Sequence, residues 1–75
     1  MNKAYLQKFA NNLKKLRKKH GFTQDDVASD DISRGMVSLV ELVLSDITLS
    51  KLKAIADSMN LNVRDLFDFE LEDER

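Results

Sequence analysis

The sequence predicts an all-α protein, a compact bundle of five short helices, on three observations. Apolar residues recur at i, i+3, i+4 and i+7 through Leu6, Phe9, Ala10, Leu13 and Leu16, the stripe of an amphipathic helix. Residues suited to helix capping stand ahead of successive apolar runs at Thr23, Ser33, Thr48 and Asn62. The chain has no proline, no internal repeat and no hairpin signal. At 75 residues it forms one domain at most, and a domain of that size buries only ~60% of the surface its unfolded chain exposes.

The first helix runs over Ala4 to Lys19, and Gly21 follows His20 as a left-handed stop. Thr23 caps a second helix from Gln24 to about Ser29. Asp25 and Asp26 complement the dipole of its first turn, and Asp26 takes the capping-box position. "SDD" makes a turn, and Ile32 points inward. Ser33 caps a third helix and shares its inner face with Val37, Val40 and Leu44, while Arg34, Ser38 and Leu42 project to the opposite flank. "LVELVL" is too apolar for a polar turn, and without a glycine after Glu41 the helix either runs on by a turn or gives way to a loop. Thr48 caps a fourth helix through Leu49, Leu52, Ile55, Ala56 and Met59, with Asn60 in the left-handed position beyond it. Asn62 and Asp65 form a second box for a fifth segment, with Val63, Leu66 and Phe67 inside. These elements make a domain over 1–69, followed by a frayed acidic tail over 70–75.

Composition narrows the function. There is no cysteine and a single histidine, His20, so no disulfide, metal site or cofactor is expected. The same poverty leaves no credible nucleophile or acid–base pair, so the chain does not read as an enzyme. No apolar run reaches membrane-spanning length, and the N-terminus lacks a secretory signal, so a cytoplasmic protein is expected. Net charge is only −1, but its distribution is uneven. Seven bases and no acid precede Asp25, whereas five bases and thirteen acids follow from there. Such a dipolar molecule can present a positive face to phosphates.

Three segments, "LKKLRKKHGFTQDDVA", "ISRGMVSLVE" and "DITLSKLKAIADSMNLNVRDLF", resemble the Cro/cI-type (XRE) helix-turn-helix family in order and spacing over nearly the whole chain. Only three residues separate Ala28 from Ile32, one fewer than the family's usual turn. That feature resembles the Rgg/MutR branch, whose long helical-repeat regulatory domain these residues do not include. The resemblance implies a lambda-repressor-like domain, a cytoplasmic setting in a prokaryote, phage or plasmid, and a transcriptional regulator such as a repressor. It would bind double-stranded DNA as a homodimer on a palindromic operator, with the recognition helix over Ser33–Glu41 in the major groove.

The resemblance also assigns residues. Thr23, Gln24, Ser33, Arg34, Gly35, Ser38 and Leu39 are the DNA-binding candidates: Gln24 falls where the family grips a phosphate, Leu39 where it often reads bases, and Arg34 and Gly35 in the first turn of the recognition helix, with Ser38 one turn on. An arginine there can bond bidentately to guanine, worth ~1–3 kcal/mol of discrimination. Lys14, Lys15, Lys18 and Lys19 would steer phosphates. Arg17 and Glu41 match positions that the family pairs, which implies a structural ion pair. The family's polar residue and glycine are replaced here by Leu42 and Val43. Leu42, Val43 and Leu44, with Val63, Leu66, Phe67 and Phe69, are therefore candidate dimer-interface residues. The alternative function is a protein–protein or dimerisation module of the same fold that has lost specific DNA reading.

Overall fold

The computed structural model describes residues 2–70. Four α-helices, α1 (Lys3–Lys19), α2 (Gln24–Val27), α3 (Arg34–Glu41) and α4 (Leu49–Ser58), are followed by a 3-10 helix over Val63–Phe67. No strand is present among the described residues; Ser29 and Ile32 form an isolated bridge. The all-α class therefore holds, with four α-helices in place of five. The fifth segment is a single 3-10 stretch, where Asp65 N–H and Asp68 N–H reach back three residues to Asn62 O and Asp65 O. Of the tail expected over 70–75, only Glu70 lies within the described residues.

Each helix starts where a side chain supplies the acceptor its first turn lacks. Asn2 accepts from Tyr5 N, Thr23 from Asp26 N, Ser33 from Met36 N and Thr48 from Lys51 N, at 3.1 to 3.3 Å. Asp26 and Asp65 complete the two boxes by accepting from Thr23 N–H at 2.8 Å and Asn62 N–H at 3.0 Å. The carboxyl of Asp26 is held below its ordinary range, first by that backbone N–H and second by the Thr23 side chain.

Three helices end in one bonding pattern. In α1, Phe22 N–H bonds to Arg17 O and Gly21 N–H to Lys18 O; in α4, Leu61 N–H bonds to Ala56 O and Asn60 N–H to Asp57 O. In α3, Leu44 N–H bonds to Leu39 O and Val43 N–H to Val40 O. This crossed pair of bonds needs a left-handed residue just past the cap. Gly21 (φ 75°) and Asn60 (φ 57°) fill that role as the sequence predicts, and Val43 (φ 60°) fills it as well. A β-branched residue is poorly suited to that conformation. α3 therefore stops at Glu41 instead of running on, and Leu44, expected on the inner face, is turned out and is 65% exposed.

The core draws on every element: Phe9 and Leu13 from α1, Val27 from α2, Val37 and Val40 from α3, Leu52 and Ile55 from α4, and Leu66 from the 3-10 helix. Ile32 seals the turn between α2 and α3. α2 is shorter than expected because Ala28 is already extended, and Ser29 and Ile32 exchange backbone hydrogen bonds at 2.8 and 3.3 Å. α1 packs on α3 and the 3-10 helix, α2 on α3 and α4, and α4 on the 3-10 helix. Leu49 sits in the first turn of α4 and faces solvent, outside the buried stripe of Leu52, Ile55, Ala56 and Met59.

Candidate nucleic-acid interface

The junction of α1, α2 and α3 is held by a buried polar cluster. Arg17 lies beside the apolar stripe of α1 and meets Glu41, the last residue of α3, in a two-pronged pair. Its Nε donates to Oε2 at 2.7 Å and its Nη2 to Oε1 at 3.0 Å. A third guanidinium nitrogen, Nη1, donates to Phe22 O at 3.0 Å, which ties the pair to the end of α1. The two side chains are 11% and 2% exposed. Planar fork-to-carboxylate geometry of this kind suits arginine and would not be reproduced by lysine. The ion pair expected between these residues is present.

Gln24 completes the cluster. The resemblance gives it a phosphate contact; within the chain its Nε2 donates to Glu41 Oε1 at 3.1 Å and the residue is half-buried. It therefore links the first residue of α2 to the last of α3 inside the molecule. Thr23 is exposed, and its hydroxyl is taken up by the Asp26 N–H.

α3 divides cleanly. Val37, Val40 and Glu41 are buried, while Ser33, Arg34, Gly35 and Leu39 are exposed and Ser38 is half-exposed. The sequence-predicted base-reading residues thus share the solvent side of one helix, with the Ser33 hydroxyl committed to capping Met36 N–H. Leu42 lies on the same side, 59% exposed, one turn beyond Ser38 and Leu39.

The four lysines assigned to phosphate steering do not form one face. Lys15 and Lys19 border a cleft with Asp65 and Asp68, and Lys8 and Lys15 border another with Asp68 and Glu70. Carboxylates therefore share that side of α1 with the lysines. Lys14 and Lys18, one turn apart, lie on the flank that continues from Arg17 toward α3.

The candidate dimer surface is also redistributed. Leu66 is fully buried in the chain's own core, so it cannot serve as an interface residue. Val63 and Phe69 are half-buried against the same core. Phe67 stacks on Phe9 at a centroid distance of 5.3 Å, and Phe69 packs on Tyr5 at 5.7 Å. Val43 is half-buried, which leaves Leu42 and Leu44 as the exposed part of that patch. Beyond them, Tyr5, Leu6, Ile47, Leu49, Leu52 and Phe67 line an apolar groove of about 260 Å³.

Sequence reasoning passed over Asn12. This buried residue donates through Nδ2 to Leu66 O at 2.9 Å and Asp65 O at 3.2 Å, pinning the 3-10 helix to α1. The signal was available: an amide beside an apolar stripe must find partners, because a buried polar group without one is costly. No buried side-chain nitrogen or oxygen among the described residues lacks a hydrogen bond. Among these residues, no helix is long and apolar enough to cross a membrane. Comparison with protein-family models, curated proteins and solved structures gave no match.

Proposed function

We propose that this chain is a sequence-specific DNA-binding transcriptional regulator of the helix-turn-helix type, with α3 as the helix that enters the major groove. One observation carries the reading. α3 buries Val37, Val40 and Glu41 yet leaves Arg34, Gly35, Ser38 and Leu39 on its open side. A helix that reads DNA must be anchored on one face and present its N-terminal residues to the base edges on the other. The cluster of Arg17, Glu41 and Gln24 fixes α3 against α1 and α2, so the helix itself is presented without a prior ordering cost. Lys14 and Lys18 supply charge on the adjoining flank. The molecule acts as a homodimer in a cytoplasmic setting, and two-fold symmetry sets half-sites about one DNA turn apart, ~34 Å.

Selection of bound duplexes from a random pool, followed by gel shift over a salt series, tests the proposal. Recovery of a palindrome supports function and symmetry together. Affinity falls linearly on a logarithmic salt scale when phosphates are neutralised, so binding indifferent to salt would contradict it. Arg34→Ala relaxes sequence preference at one position of each half-site.

A second reading is a protein–protein module without DNA affinity. The observation that favours it is the exposure of Leu42, Leu44 and Leu49 on one small chain. A tight oligomer by light scattering, with no binding to any duplex at low salt, selects this reading over the first.

A further inference from the structure

The side of α3 that faces away from Val37 and Val40 consists of Gly35, Ser38, Leu39 and Leu42, an i, i+3, i+4, i+7 row. Two of its four members are leucines, and one has no side chain. A Cβ built on Gly35 would meet only Ser33 Oγ, at 3.8 Å, so the surface above this glycine is open. A helical side chain covers the turn N-terminal to its own Cα. Leu39, 40% exposed, follows Gly35 by one turn on the same face, but none of its side-chain atoms comes within 4 Å of the added Cβ. The gap at Gly35 is thus an open notch in the row, with Leu39 one turn further on and Arg34 preceding it in the chain.

Resting on the DNA-binding reading, we infer that this notch reads the C5 methyl group of a pyrimidine next to the guanine held by Arg34. The methyl is the apolar feature that a base pair presents in the major groove; the other groups there are donors and acceptors. Leucine has neither donor nor acceptor, so it can discriminate only by apolar contact. The missing side chain at Gly35 lets the base edge come close enough to make that contact. Thymine and 5-methylcytosine carry the same methyl, and the notch accepts either. Burying one such carbon is worth about fourfold in affinity.

The test uses the full chain and the duplex recovered by selection, with fluorescence anisotropy at fixed salt. Thymines flanking the Arg34-dependent guanine are replaced singly by deoxyuridine, which removes only the methyl. In a parallel arm, cytosine and 5-methylcytosine are compared at the same position. The expected result is about fourfold weaker binding with deoxyuridine at one position and about fourfold tighter binding with 5-methylcytosine. Both effects vanish in Leu39→Ala and Leu39→Gln, whose exposed site leaves folding intact by circular dichroism. Binding that depends on Arg34 but ignores every methyl overturns this inference alone, as does a methyl effect that survives both Leu39 variants. Unchanged DNA binding with lost self-association in Leu39→Ala overturns it too, and moves the ridge to a protein contact. No binding to any duplex overturns the regulator reading and this inference together.

Discussion

Replacing Glu41 with alanine isolates the interaction that orients α3. The substitution strips Arg17 Nε and Nη2 of acceptors at 2.7 and 3.0 Å and Gln24 Nε2 of one at 3.1 Å. Only the Nη1 bond to Phe22 O is left to the guanidinium. Because the arginine side chain is 11% exposed, water replaces these partners poorly. Breaking a buried pair on one side costs ~3–5 kcal/mol. A chain of this length has a total stability of ~4–11 kcal/mol at ~0.05–0.15 kcal/mol per residue. The melting temperature should therefore fall by at least ~12 °C, at ~4–8 °C per kcal/mol for domains of this size. Urea denaturation followed by far-ultraviolet circular dichroism measures the loss. It should persist in 0.5 M salt, since buried charges are weakly screened. Replacing both partners with apolar residues, Arg17→Met with Glu41→Leu, removes the stranded charge and should return stability to the parent's or above it. A Glu41→Ala protein within ~0.5 kcal/mol of the parent, or a double variant no more stable than the single, would refute the argument.

Three further substitutions probe separate features. Val43→Gly should be more stable than Val43→Ala by ~1 kcal/mol in the same urea assay, although it removes more carbon, because glycine alone relieves the left-handed strain at φ 60°. Asn12→Ala should cost ~1–3 kcal/mol by stranding the carbonyls of Asp65 and Leu66, and amide hydrogen exchange over Val63–Phe67 should accelerate more than in α4. Asp26 is held below the ordinary carboxylate value by Thr23, so folding favours its charged form. That contribution is complete above the unfolded value of ~3.9 and disappears as pH falls through the lower folded value. Stability measured against pH should therefore drop more steeply below about pH 4 in the parent than in Asp26→Asn.

What the sequence made legible was local chemistry. Thr23, Ser33 and Thr48 are read as caps because their hydroxyls match orphan N–H groups within three residues, a relation that needs no knowledge of the rest of the fold. Asn60 is legible because asparagine tolerates the left-handed backbone that ends a helix, again a local property. Tertiary competition decided the remainder. Helical periodicity placed Leu44 inside, but periodicity holds only while the helix continues, and the left-handed turn at Val43 reverses the direction of the next side chain. Leu66 was expected to be both inside and at an interface; burial by α1 and α4 left only the first. The lysines of α1 read as one basic run, but the fold sets Asp65 and Asp68 on the same cleft as Lys15 and Lys19, from about fifty positions away in the chain.

Gln24 separates two ideas that sequence alone runs together. If its side chain serves only to grip a phosphate, the free protein contains nothing for it to hold, and Gln24→Ala should leave free-protein stability untouched. The hydrogen bond to Glu41 Oε1 at 3.1 Å gives a different expectation. A hydrogen bond to a charged acceptor is worth ~1.5–3 kcal/mol, and Gln24→Ala, at a half-buried site, should lose about the lower of these in the parent. In the Arg17→Met, Glu41→Leu background the acceptor is gone, so the same substitution should cost nothing. The difference between the two backgrounds is the coupling between Gln24 and the ion pair, measurable by a double-mutant cycle in urea. Equal losses in both backgrounds would mean that the amide is held by something other than Glu41. A coupling of the expected size would establish Gln24 as the brace between the start of α2 and the end of α3.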